Sequence, residues 1–125
     1  MRRPFLPLLY PLLFPLLFAL AIPVFGEDPA PPKKGITLDF RLEPGQVHEE
    51  CMKLKAGQGK RFEWTSDKAV DFNVHYHKGE QPFYPFKANN RKAAKARFQA
   101  DHADDYCWMW TAQKDAARVK GKISN

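Results

Sequence analysis

Residues 70–77 read Val70-Asp71-Phe72-Asn73-Val74-His75-Tyr76-His77, and this stretch decides the fold class. Successive side chains of an extended chain point to opposite faces. Val70, Phe72, Val74 and Tyr76 therefore share one side, and Asp71, Asn73, His75 and His77 the other. The same period of two runs outward in both directions, which is the strand signal. Upstream, Phe62 and Trp64 alternate with Arg61, Glu63 and Thr65, and Ile36, Leu38, Phe40 and Leu42 alternate with Thr37, Asp39 and Arg41. Between them, Val47 to Lys55 takes its apolar content from Cys51, Met52 and Leu54. Downstream, Gln81 to Lys87 is aromatic but holds Pro82 and Pro85, which suits an edge strand. Lys92 to Asp101 has good helix propensity, yet Ala94, Ala96, Phe98 and Ala100 alternate with polar residues, and a strand is expected. Tyr106 to Thr111 is aromatic enough to be a buried strand, and Ala117, Val119, Gly121 and Ile123 close the series.

Turn chemistry separates these segments. Glu43-Pro44-Gly45-Gln46 suits a type II turn, with Pro at the second position and Gly at the third. Ala56 to Gly59, Ser66-Asp67-Lys68, Lys78-Gly79-Glu80, Ala88-Asn89-Asn90-Arg91 and Asp101 to Asp105 read as further turns and loops. About eight short strands with turns roughly every 8–12 residues predict an all-β fold, an antiparallel β-sandwich, over residues 36–125.

The first 26 residues read differently. Arg2 and Arg3 precede an uncharged stretch from Phe5 to Phe25, and Val24-Phe25-Gly26 offers a cleavage site before Glu27-Asp28. That is the order of a secretory signal peptide over residues 1–26. Its length approaches the ~20 residues of a membrane span, so an uncleaved anchor is the rival reading. Pro7, Pro11, Pro15 and Pro23 count against a regular helix there. Arg2-Arg3 also resembles part of a twin-arginine signal, although the hydrophobic core favours general secretion. Residues 27–35, rich in Pro and charge, read as a linker.

The exported part holds 18 Lys and Arg against 14 Asp and Glu, a net charge of +4. These cations are spread along the chain and no basic run exceeds two residues, so they read as a solvated surface. Nucleic acid is not an expected partner, and a membrane enters only through an uncleaved leader. The two cysteines, Cys51 and Cys107, both lie in the exported part, where oxidation is permitted, and one disulfide is the expected outcome.

Three sets of residues were candidates for chemistry. His75 and His77 stand at i and i+2 on one strand face, about 7 Å apart, and two such imidazoles grip Cu or Zn when a third donor joins them. His48, His102, Met52 and Met109 are the other nitrogen or soft donors, and His48, His102 or Met52 would have to converge on the pair. The other reading of the pair is an ordinary solvent-facing alternation. Second, Tyr76, Phe83, Tyr84 and Phe86 are either core or a surface for a protein or lipid partner. Third, no catalytic nucleophile is recognisable: there is no G-x-S-x-G, and Asp104-Asp105 near His102 lacks a nucleophile. The chain is not read as an enzyme.

Glu49-Glu50-Cys51-Met52, with Phe98-Gln99-Ala100 and Asp105-Tyr106-Cys107-Trp108, is similar to the opening and closing patterns of GOLD domains, the lumenal β-sandwiches of p24 cargo receptors. The resemblance spans most of Val47 to Ile123. It implies a sandwich bridged by Cys51 and Cys107 and a habit of binding proteins or lipids. The C-terminal coiled coil and membrane helix of p24 proteins have no counterpart here, so cargo-receptor function is not implied. The expectation is a non-catalytic, periplasmic or secreted binding or accessory module of the cell envelope without a cofactor. The alternative is a copper- or zinc-binding protein.

Overall fold

The computed structural model describes Gly26 and residues 35–125. The signal-peptide reading of residues 1–26 and the linker reading of residues 27–35 therefore lie almost wholly outside the described residues. Pro32–Asn125 forms a compact unit of its own.

The described chain is all-β and antiparallel. Its strands are β1 (Ile36–Leu42), β2 (Val47–Leu54), β3 (Gly59–Lys78), β4 (Gln81–Gln99), β5 (Asp104–Ala112) and β6 (Ala117–Ser124). Six strands stand where eight were expected, because two of the expected turns are bends inside long strands. Around Ser66-Asp67-Lys68 the β3–β4 register shifts between Thr65 and Val70. The chain stays extended there, and the Asp67 carboxylate accepts the backbone N–H of Arg118 at 2.8 Å. Opposite, Asn90 takes a left-handed φ of 52°, and its N–H donates to the Asp71 carboxylate at 2.8 Å. Short polar side chains satisfy a bulge as readily as a turn. The expected turns at Gly45, Gly57 and Gly79 do form, each with positive φ at the glycine.

β3 is a fork. β4 runs along one of its edges for its whole length, while the other edge pairs first with β6, over Arg61–Ser66, and then with β5, over Val70–His75. β1 adds outside β6 and β2 outside β5. The result is two leaves, β4-β3-β6-β1 and β4-β3-β5-β2, that share one bent hairpin. Bends and bulges of this kind let a strand pass from one packed sheet to another. The bend curls the leaves toward each other, so Phe62 and Trp64 of one meet Phe72 of the other at ring separations of 5.2 and 5.3 Å. Phe40 of β1 meets Trp110 of β5 at 5.4 Å.

The enclosed core contains Phe62, Trp64, Phe72, Tyr106, Trp108 and Trp110, all fully buried. Each large side chain removed from water stabilises the fold by about 1.5–3 kcal/mol. The Tyr106 hydroxyl donates to the His102 carbonyl at 2.8 Å, so its polar end is satisfied, and burial pushes its phenol up.

Gly121 fixes how closely β6 approaches β3. It lies between Leu38 and Trp64 in the register. A Cβ there would fall 2.1 Å from the Glu63 carbonyl oxygen and 2.7 Å from the Trp64 Cα. Both are backbone atoms of a paired strand and cannot swing aside. Gly121→Ala is therefore expected to destabilise the domain by at least 1–3 kcal/mol, the usual range for overpacking. Urea unfolding of residues 27–125 measures it, and an unchanged midpoint would show that β6 sits farther from β3.

Candidate binding face

The convex side of the leaf β4-β3-β5-β2 carries Cys51, Cys107, His75 and His77 of the residues singled out from the sequence. In its register Cys51 lies opposite Cys107, and Cys107 opposite His75. Directly opposed residues of an antiparallel ladder share a face. The two sulfurs are joined as the Cys51–Cys107 disulfide. Next along the face, Glu49 lies opposite Met109, Met109 opposite Asn73, and Asn73 opposite Lys87.

His75, expected on a solvent-facing stripe, is only 4% exposed. Its Nδ1–H donates to Asn73 Oδ1 at 2.8 Å. Its Nε2 lies 3.7 Å from Glu49 Oε1. The His77 ring stacks on it at 5.1 Å and the Tyr84 ring leans over it at 5.7 Å. Burial holds the His75 imidazole below the usual histidine value; the Glu49 carboxylate pulls the other way, and His77 adds to the lowering. The ring is thus kept neutral in an enclosure built by three strands.

The hairpin end of β3 and β4 lies beside this group. Phe83 and Tyr84 are 39% and 42% exposed. The Lys78 ammonium stands 5.3 Å from the centre of the Phe83 ring, and that of Lys87 stands 4.3 Å from that of Tyr84. Phe83 stacks on Tyr76 at 5.4 Å. An open cavity of about 300 Å³ is lined by Tyr76, Phe83, Tyr84, Pro85, Phe98 and Tyr106, together with the polar Gln99 and Asp101. Phe86, expected on the same surface, turns inward instead and packs edge-on against Phe62 and Phe72 at 5.3 and 5.9 Å. Phe86 is opposite Val74, a core residue, and that register fixes its side.

Of the four histidines, only His75 and His77 are brought together. His48 is on the other side of β2 from Cys51, stacked on Phe40 at 3.9 Å and bonded to Glu50 at 2.9 Å. Met52 shares that inward side and packs on the core. His102 sits in the loop before β5 between Asp101 and Asp104, with its ring edge against Tyr76 at 4.6 Å. None of these reaches His75. The donor that does is Glu49, which lies two strands away in the register. The Glu49 carboxylate also lies within 4.8 Å of both cysteine sulfurs, but those are joined to each other and offer no thiolate.

The fold and this face define a small, disulfide-braced, all-β protein with an aromatic hairpin end. No family model matches the chain, and no curated protein does. A solved structure that resembles it is that of Aeromonas hydrophila PliG, described as a periplasmic lysozyme inhibitor of g-type lysozyme. The likeness has a TM-score of 0.53 at 12% identity and covers 72% of this chain and 84% of that one. At that identity the likeness establishes a shared fold.

The state of His75 makes stability depend on pH. The unfolded chain takes up the proton near the ordinary value of ~6.5, and the folded chain only at a lower pH. Stability from the neutral ring is complete above ~6.5 and lost as pH falls toward the folded value. Asp67 and Asp101, lowered chiefly by the Arg118 backbone N–H and by His102, lose theirs only below about pH 4. Urea midpoints are therefore expected to drop between pH 7 and pH 5, and His75→Gln to flatten that drop. Equal drops in both proteins would assign the effect elsewhere.

Proposed function

We propose that this protein is a non-catalytic, exported binding protein of the cell envelope, and that it holds a protein partner with the aromatic end of the β3–β4 hairpin. One observation carries this reading. Among the described residues the exposed large hydrophobics are Val47, Phe83 and Tyr84, and two of these three are adjacent on one hairpin. Aromatic side chains on a rigid element lose little conformational freedom on binding, which is why they serve as anchors. Lys78 and Lys87 against those rings add donors at the rim.

Three further points support the reading. A formed disulfide suits an oxidising compartment. PliG, which shares the fold, is described as an inhibitor of an enzyme and so as the partner of a protein. The GOLD-like motifs around Cys51 and Cys107 imply the same habit of binding proteins or lipids. His102 with Asp101 and Asp104 is the arrangement nearest to an acid–base group, and its hydroxyl neighbour Tyr106 is committed to a backbone carbonyl.

The test is site-specific photocrosslinking in envelope extracts, with the crosslinker at position 84 and, as control, at position 37 on the far leaf. A discrete protein adduct at 84 and none at 37 is expected, and Phe83→Ser in the same chain should weaken it at least tenfold. No adduct at 84, or equal adducts at both positions, would sink the proposal. Clearing of a cell suspension by g-type lysozyme then asks whether the partner class of PliG carries over. Slowed clearing that is relieved by Phe83→Ser with Tyr84→Ser would place the partner there.

A second reading is a metal site at His75 and His77. Glu49 Oε1 lies 3.7 Å from His75 Nε2 and the His77 ring stacks alongside, but the three do not form a three-donor group, so this reading rests on two converging donors. Calorimetry with Cu(II) and Zn(II) on residues 27–125 tests it. Micromolar binding that disappears in the His75→Ala, His77→Ala double variant supports this second reading, and equal heats in both proteins remove it.

A further inference from the structure

The positive charge, which looks dispersed along the sequence, is gathered by the strand register onto one face. On the convex side of the leaf β4-β3-β6-β1, Arg97 lies opposite Arg61, and Arg61 opposite Ser124. The next row runs Lys95, Glu63, Lys122, Thr37, and the one after it Ala93, Thr65, Lys120, Asp39. Arg118 and Arg41 are opposed beyond them. Seven cations share this face with two carboxylates on its strands, Glu63 and Asp39, and a third, Glu43, bonds Arg41 from the turn after β1. The convex face of the other leaf holds Lys53 and Lys87 against Glu49, Asp71 and Asp105. The two sides of the protein therefore differ in sign.

Three features make the basic side more than an ordinary wet surface. Lys95 pairs with Glu63, Arg118 with Asp39 and Arg41 with Glu43, yet no carboxylate among the described residues is within ion-pair distance of Arg61, Arg97, Lys120 or Lys122. Like charges directly opposed across a ladder destabilise it, and Arg61 and Arg97 are so opposed. Finally, the Arg97 guanidinium lies flat over Gly59, where a Cβ would fall 2.7 Å from its nitrogen. A glycine is what leaves room for that side chain beside an open cavity of about 490 Å³ lined by Arg61, Glu63, Lys95, Arg97 and Lys122.

We infer that this face docks on the phosphate headgroups of an anionic membrane. The charge is complementary to such a layer, and a four-stranded face is broad enough to lie along it. The side chains between the cations are Thr37, Thr65, Ala93 and Ser124. They provide no aromatic platform of the kind on which single-stranded nucleic acid stacks. The sequence points the same way: Lys33 and Lys34 stand just ahead of Ile36, where the chain enters this leaf.

Co-sedimentation of residues 27–125 with vesicles tests this. The protein is expected to pellet at low ionic strength with equal parts phosphatidylcholine and phosphatidylglycerol, to stay in solution with phosphatidylcholine alone, and to be released at molar salt, where screening acts within about 3 Å. Each basic residue near an anionic surface contributes about fivefold to binding. Arg61→Gln with Arg97→Gln and Lys122→Gln should therefore weaken partitioning roughly a hundredfold. Should that triple variant not fold, Lys120→Gln with Lys122→Gln carries the same test at about twenty-five-fold. Lys53→Gln with Lys87→Gln, on the opposite side, should leave vesicle binding unchanged, as should the Phe83 and Tyr84 variants of the protein-partner test. Failure to pellet at low salt, full binding by the triple variant, or an equal loss in the Lys53, Lys87 variant would each overturn the assignment. Binding of soluble polyphosphate without vesicle binding would overturn it in favour of a soluble polyanion.

Discussion

Everything in this fold depends on β3 staying paired while it changes neighbours. A straight strand of its 20 residues would extend ~66 Å at 3.3 Å per residue. A compact domain of ~90 residues has a radius of gyration of only ~12 Å. The strand has to bend, and a bend opens backbone groups that the ladder would otherwise satisfy. Two carboxylates close the gap. Asp67 accepts the Arg118 N–H, and Asp71 accepts the Asn90 N–H. The Asp67 carboxyl is held below the ordinary aspartate range chiefly by that bond. With the gap closed, β6 and β5 can occupy successive stretches of one edge. Their inward residues then face each other, and the tryptophans of both leaves enter a common core.

That arrangement explains which parts of the structure were legible in the sequence. Alternation in Ile36–Leu42, Phe62–Thr65, Val70–His77 and Ala117–Ile123 assigns both strand and inward face, because period and burial are properties of the segment itself. Ser66-Asp67-Lys68 and Ala88 to Arg91 read as turns in the sequence because Asp and Asn offer the backbone the same local hydrogen bonds in a bulge as in a turn. What separates the two outcomes is whether the flanking segments continue on the same partner. Here β4 provides that continuity along β3 through both irregularities, and it comes from residues distant in the chain.

The candidate site divides in the same way. His75 and His77 were placed together by their spacing, and Phe83 and Tyr84 were picked out by their aromatic density. The enclosure of His75 was not readable, because Glu49 arrives from β2 and Tyr84 from β4. Nor was the inward turn of Phe86, which follows from its register against Val74. The basic face is the plainest case. Arg61, Lys95, Arg97 and Lys122 are separated by up to 61 positions in the chain, and only an antiparallel ladder makes them neighbours.

The two convex faces are also braced differently, and this bears on what each can do. Cys51 and Cys107 tie β2 to β5 beside His75, closing a loop with a sequence separation of 56. Loop-closure entropy alone assigns such a bridge about 4 kcal/mol. It acts on the leaf that carries the aromatic hairpin end and the buried imidazole, where a partner with defined shape needs groups held in register. The basic leaf has no covalent bridge among its described residues. The proposed docking on a layer of phosphates would need none, since such attraction acts through charge over several ångströms and tolerates side-chain motion. The proposed protein-partner end and the proposed cationic docking face are separate demands. A single bent hairpin meets both by giving each leaf its own outer strands.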